Sequence, residues 1–230
     1  MKYNVTVVSK GVALGKAYVY KPFVPDVKET IVSDAEAELA LFEKTLAAAE
    51  VELNNLVEMV MKKDADKAEI FNAHLSILKD DDICTDIRDS ITDMNYSAEW
   101  AIMFVYNQNI DILSAVDDPL IRERVADLYD VRNRMLRCAK GLPEISLASL
   151  AEQVVVVADD LFPSDTVVMD KEKVLGIITA KGGQTSHSAI IARGYGIPAV
   201  FGAEDPMTAI AMGQSVIVDA IDGAYILDPT

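Results

Sequence analysis

The sequence predicts an all-α helical bundle and a compact α/β unit in one chain, preceded by a short extended segment. Three observations predict it. An apolar stripe at spacings of three and four starts at Leu39 and marks a long amphipathic helix. After Pro143, short β-type runs alternate with helical stretches. The charge divides at the same borders: residues 1–32 sum to +3, 33–140 to −11 and 141–230 to −8, within a net charge of −16. At 230 residues and 51% hydrophobic content, the chain can bury a sizeable core, which excludes disorder as its main state.

The first segment reads as extended. Val5-Thr6-Val7-Val8 and Ala17-Tyr18-Val19-Tyr20 flank a turn-rich stretch from Gly11 to Gly15, and Pro22 and Pro25 then break the pattern. Ser33 with Glu36 three residues later predicts a capping box. Leu39, Phe42, Leu46, Ala49, Leu53, Leu56 and Val60 follow on one face of a helix of about 28 residues, or ~42 Å. Four further helices are predicted. The first, 66–78, carries Ile70, Phe71, His74, Ile77 and Leu78, and the second, 81–93, carries Ile83, Ile87 and Ile91. The third, 97–116, opens on Ser97 and carries Trp100, Met103, Phe104 and Ile110. The last, 119–139, is opened by Asp118-Pro119 and closed by Gly141 and Pro143. Short links between them predict an antiparallel bundle. Beyond residue 143, strands are expected at 154–157, 174–179 and 198–201. A hairpin across Asp222-Gly223 should join 216–218 to 224–227, and helices are expected at 186–194 and 205–212.

Composition excludes several functions. A net charge of −16 opposes nucleic-acid binding, which draws its affinity from basic patches. No run approaches the ~18 apolar residues of a membrane span, and residues 1–6 lack a signal-peptide core. Cys84 and Cys138 cannot build a disulfide framework and suit a reducing cytosol, so a cytoplasmic protein is expected. With just His74 and His187 as imidazoles, and the cysteines distant from His187, a metal centre lacks ligands.

The chemistry concentrates at Ile178-Thr179-Ala180-Lys181-Gly182-Gly183-Gln184-Thr185-Ser186-His187-Ser188-Ala189-Ile190-Ile191-Ala192-Arg193. A buried strand should end near Thr179. Gly182 and Gly183 permit a tight backbone close to a ligand. Thr185 or Ser186 can cap the helix that follows, which places His187 in its first turn. There the free N–H groups and the helix dipole favour an anion. A neutral imidazole is a nucleophile and the phosphoryl group it accepts is anionic, so the setting suits a phosphohistidine better than a protonated histidine. Other readings stand beside it. Strand–glycine–helix turns are often structural. No Gly-Lys-Ser/Thr ends the loop, so it is not a Walker loop. A serine nucleophile with His187 as base needs an elbow that is absent.

Gly182 through Arg193, followed by Gly196-Ile197-Pro198-Ala199-Val200, resembles the phosphohistidine motif of the phosphoenolpyruvate-utilising enzymes. Ser9-Lys10-Gly11-Val12-Ala13-Leu14-Gly15-Lys16-Ala17 and the helical interruption resemble Enzyme I of the bacterial sugar phosphotransferase system in particular. The resemblance spans residues 1–230. It implies an α/β phosphohistidine, or swivelling, domain of residues 1–20 and 144–230 with an inserted all-α subdomain at 21–143. It makes His187 the phosphorylated residue, Thr166 its hydrogen-bond partner, and Gly182, Gly183, Thr185, Ser186 and Arg193 candidate phosphate stabilisers. From the residues alone, Thr166 reads as a turn residue after Pro163, and Arg193 equally as a surface charge.

The resemblance also implies docking of the phosphocarrier HPr on the helices, through Asp66, Phe71, His74, Asp80, Asp82 and Arg124. The stretch 64–93 sums to −6, which also describes a solvated face. The family continues into a barrel that binds phosphoenolpyruvate and magnesium and makes a homodimer. The expectation is therefore a monomeric piece of a longer protein, without a cofactor of its own, with Mg2+ in the full-length enzyme and hinges near 21–32 and 141–147. The competing expectations are the swivelling domain of a pyruvate phosphate dikinase or phosphoenolpyruvate synthase, and a helical binding module without chemistry.

Overall fold

The computed structural model describes residues 2–62, 65–184 and 186–229; for Asp66, Pro119, Leu120, Arg122, Glu123, Ser149 and His187 it describes the backbone alone. The chain divides into two units, Phe23–Glu144 and Met1–Pro22 with Ile145–Thr230.

The first unit is helical: α1 (Ala35–Met61), α2 (Ala65–Leu78), α3 (Asp81–Thr92), α4 (Ala98–Ser114) and α5 (Pro119–Ala139). The apolar stripe of α1 is its core face, with Phe42, Ala49, Leu53, Leu56 and Val60 buried. That face packs on all four other helices, which is what keeps a helix of 27 residues ordered. Its cap differs from the expected Ser33–Glu36 box. Asp34 caps instead, its carboxylate accepting from the Ala37 N–H at 3.0 Å. A carboxylate at the positive helix end is the better cap. Ser97 caps α4 by accepting from the Trp100 N–H at 3.2 Å, and Glu38 of α1 accepts from the Ala98 N–H at 2.8 Å, so the two helices are pinned at one point.

The second unit is a mixed sheet: β1 (Lys2–Asn4), β2 (Thr6–Ser9), β3 (Val12–Val19), β4 (Val154–Ala158), β5 (Val174–Thr179), β6 (Ala199–Phe201), β7 (Ser215–Asp219) and β8 (Ala224–Leu227). Three helices accompany it, α6 (Pro163–Val167), α7 (His187–Tyr195) and α8 (Pro206–Ala209). The strand order is β1-β8-β7-β3-β4-β5-β6-β2. β3 to β6 run parallel and the other pairings are antiparallel. The two ends of this order, β1 and β2, are consecutive in the chain, so the sheet curls until one extended segment serves both edges. The Val5 N–H, between them, donates to Gly223 O at 2.8 Å.

β4 is buried on both faces, as parallel central strands are. Val154, Val156 and Ala158 pack with Ile177, Ala189, Ala192 and Phe201. Val155 and Val157 pack with Ile178, Val200, Val218 and Tyr225 on the other side. Of the stretch from Gly11 to Gly15, only Gly11 lies in the link between β2 and β3. β3 runs through the rest, and the bare Cα of Gly15 lets Leu175 and Val155 approach to where a Cβ would sit 3.1 and 3.3 Å from them. α8 is shorter than the predicted 205–212, and α6 has five residues, too few to show a helical period.

Candidate functional site

β4 and β5 are parallel neighbours, so the chain leaves both at one edge of the sheet. From there it enters α6 after β4 and α7 after β5. The carboxyl edge of parallel strands is where open α/β sheets place their ligands. Backbone bonds bind the loop after β5 to the end of β4: the Ala180 N–H donates to Ala158 O at 3.2 Å and the Lys181 N–H to Asp159 O at 2.8 Å. Thr179, fully buried, donates its hydroxyl to Lys181 O at 2.6 Å.

Gly182 then takes φ +98°, a region that L side chains rarely adopt, and a Cβ there would lie 3.0 Å from the Phe201 ring. Gly183 faces open space. Ser186 is the cap of α7. Its hydroxyl accepts from the Ala189 N–H at 3.3 Å, donates to Gly183 O at 2.8 Å and lies 3.1 Å from the buried Ser188 hydroxyl. His187 is therefore the first residue of a helix of nine residues. Ala189 and Ala192 seat that helix on the core, and Gly196, at φ +66°, ends it by donating to Ala192 O and Arg193 O.

α6 packs on α7. It carries Thr166, fully buried, whose hydroxyl donates to Pro163 O at 2.9 Å. Arg193 is exposed in the last turn of α7, six residues from His187, about 9 Å along the axis. From that place its charge complements the negative helix end. Thr185 lies outside the described residues, as do the side chains of His187 and Asp66.

On the helical unit, Asp80 caps α3, accepting from the Asp82 and Ile83 N–H groups at 3.1 and 3.0 Å. Asp80 and Asp82 are exposed. Arg124 is exposed too, 3.8 Å from Asp127. Phe71 and His74 differ from expectation. Both are completely buried, so neither offers a docking surface; the helical period that places them in one stripe turns that stripe inward. His74 Nε2 lies 3.2 Å from Asp127 Oδ1, and the Phe71 ring meets it edge-on.

Sequence reasoning missed two buried polar groups. Tyr20, just after β3, donates its hydroxyl to Asp165 Oδ1 at 2.5 Å. Arg134 and Arg137 of α5 both hold Glu52 of α1. No local pattern marks either, because the partners are far apart in the chain. Near the loop, burial raises the Asp160 carboxyl above its ordinary range. Burial likewise raises both cysteine thiols, Cys138 to about 11, which makes them poor nucleophiles.

Residues 6–124 match the family described as "PEP-utilising enzyme, N-terminal", and residues 150–223 match its "mobile domain". The chain belongs to the phosphoenolpyruvate-utilising enzymes. Among this family's members, it is 39% identical over 223 residues to the phosphoenolpyruvate-protein phosphotransferase of Listeria innocua serovar 6a. It is 36% identical over 223 residues to that of Bacillus subtilis. Each alignment covers 96% of this chain and 39% of the relative, so the chain spans about two fifths of those proteins. A solution structure of Enzyme I superposes with a TM-score of 0.87 at 36% identity, over 99% of this chain and 93% of that one. The N-terminal domain of "Enzyme 1 - Nitrogen", at 23% identity and a TM-score of 0.64 over 98% and 93%, shares the fold. Among the described residues, no helix is long and apolar enough to cross a membrane.

Proposed function

We propose that this chain is the phosphoryl-carrying part of a phosphoenolpyruvate-protein phosphotransferase of the bacterial sugar phosphotransferase system. His187 accepts a phosphoryl group from phosphoenolpyruvate bound by a part of the protein outside this chain, and passes it to a histidine of HPr. The observation that carries the reading is the backbone position of His187, first residue of α7 behind the Ser186 cap and the Gly182 turn, in a segment that matches the family's mobile domain.

In the first step a ring nitrogen lone pair attacks phosphorus, the N–P bond forms, and the P–O bond to the enol breaks with its electron pair. In the second, an HPr nitrogen attacks the same phosphorus and the His187 N–P bond breaks. The chain's own part is alignment and charge stabilisation. The first-turn N–H groups of α7 favour the anionic phosphoryl group, and the glycine backbone admits it closely. The Thr166 hydroxyl serves the imidazole as acceptor while it keeps Pro163 O, or as donor by releasing it; the two arrangements select opposite tautomers. HPr docks on the helices, where exposed Asp80, Asp82 and Arg124 steer it electrostatically and apolar contacts hold it. We assign Mg2+, and the dimer contact, to a part of the protein outside this chain.

The test is reversal of the second step. Incubated with phospho-HPr, the chain should gain acid-labile phosphate, and a His187→Ala variant should gain none. Equal labelling of both proteins sinks the reading; labelling from ATP without a response to HPr points to a dikinase-type swivelling domain instead.

A further inference from the structure

We propose that Tyr20 is a positioning residue for phosphoryl transfer: through Asp165, its hydroxyl holds α6, and with it Thr166, in place against α7. The inference rests on the reading of His187 as the phosphoryl acceptor. Four observations carry it.

Tyr20 is rigidly placed. It is 2% exposed, and its N–H donates to Val157 O at 2.8 Å, which extends the β3–β4 ladder by one residue. Its phenol therefore projects from the buried end of β3, beside the fully buried β4. Second, that phenol meets a carboxylate. One proton faces two acceptors, Asp165 Oδ1 at 2.5 Å and Ile145 O at 3.1 Å, and the shorter, charged contact is the stronger. Third, the same carboxylate closes α6: Asp165 Oδ2 accepts from the Phe162 N–H at 2.9 Å. Both oxygens of Asp165 are thus engaged, one by the sheet and one by the helix start.

Fourth, α6 cannot hold itself. It has five residues and the Thr166 N–H to Phe162 O bond is 3.2 Å long, so helix formation on its own is unfavourable. Its place is set by what it touches, which includes α7 and the Tyr20–Asp165 bond. Thr166 is the residue next to Asp165. A shift of Asp165 is passed to Thr166 directly through the backbone. Ile145 is where the chain re-enters the α/β unit, so the phenol gathers the end of β3, the return segment and α6 at one point. Tyr20 touches no reacting atom on this account; it acts through Asp165.

The test uses the whole 230-residue chain with phospho-HPr as donor, and compares wild type, Tyr20→Phe, Asp165→Asn and the double variant. Tyr20→Phe keeps the ring in the core and removes just the hydroxyl. The expected result is a fall of about tenfold in the rate of phosphate uptake for each single variant, since small misplacements of aligned groups cost that much or more. The double variant should be no slower than the slower single one, because both break one contact. HPr affinity should stay within about twofold, and the nitrogen-15 shifts of the His187 ring should report a changed tautomer balance. A lower melting temperature with wild-type uptake, measured well below melting, overturns the proposal, because that is what packing alone predicts. If Tyr20→Phe does not fold, Asp165→Asn carries the test, and uptake within about twofold of wild type overturns it. If wild-type chain takes up no phosphate on His187, the functional reading itself fails and Tyr20 has no reaction to serve; if wild type labels and both variants label equally fast, the positioning role alone is refuted.

Discussion

Replacing Glu52 by Gln should be the most damaging single-atom change in the helical unit. Glu52 Oε2 accepts from Arg134 at 2.9 Å and from Arg137, whose side chains are 6% and 8% exposed against 31% for Glu52. Burial pulls the Arg134 pKa down, and Glu144, Asp130 and Glu52 together more than offset it, so it stands above its ordinary value. Removing one member of a buried ion pair costs about 3–5 kcal/mol, because the partner is left charged and poorly solvated. Two features place this case at the lower end. Arg134 keeps Glu144 at 3.1 Å, and Arg137 keeps Leu142 O at 2.8 Å. A loss of about 3 kcal/mol, at a urea dependence of about 2 kcal/mol per M, moves the midpoint down by about 1.5 M. The chain's one tryptophan, Trp100, lies on α4, so its fluorescence reports this unit and not the sheet. Glu43→Gln is the control. It breaks the Arg88–Glu43 pair at 2.8 Å, whose side chains are 39% and 48% exposed, and should cost under about 1 kcal/mol. If the two variants shift the Trp100 transition equally, burial is not what gives the Glu52 clamp its strength.

Three further outcomes are expected. Gly182→Ala forces a Cβ into the Phe201 ring at a φ of +98°, so it should destabilise the α/β unit by about 1–3 kcal/mol and slow phosphate uptake; Gly183→Ala, in open space, should do much less, as thermal melts and phospho-HPr labelling can show. Asp160 has a raised folded-state pKa, so the folded state is penalised above that pKa and not below the unfolded one; Asp160→Asn should protect the α/β unit from proteolysis at neutral pH, and the gain should vanish as the pH falls below the carboxylate range. Asp80→Asn with Asp82→Asn keeps a competent cap on α3 while removing two charges, so the fold should survive while HPr binding weakens and loses salt dependence; unchanged affinity and salt slope would remove the electrostatic part of the docking account.

Much of the helical unit was legible because helix signals are local. The stripe of α1 shows in spacings of three and four, and Ser97 and Asp118-Pro119 mark helix starts. The exact cap of α1 was not legible, since Ser33 and Asp34 are both good caps and one residue decides between them. Nor was the depth of Phe71 and His74, because periodicity shows a stripe and not what covers it. In the α/β unit the hairpin of β7 and β8 could be read at Asp222-Gly223, whereas α6 and the run of β3 through Gly15 could not. A helix of five residues has no period, and a strand glycine looks like a turn until the neighbours that exploit its bare Cα are known.

Local residue patterns were enough to place the five helices of the helical unit, the central strands, and the Gly182 to His187 turn that starts α7, because each depends on residues within a few places of one another. That β1 to β3 share a sheet with β4 to β8, that Thr166 lies on a helix packed against α7, and that Tyr20 reaches Asp165 could be read only from the folded chain. The first and last of these join segments separated by the whole helical unit. A hydrogen bond between residues 145 places apart leaves no trace in local spacing; it exists because the β3–β4 ladder brings the two ends together and burial makes an unpaired phenol costly.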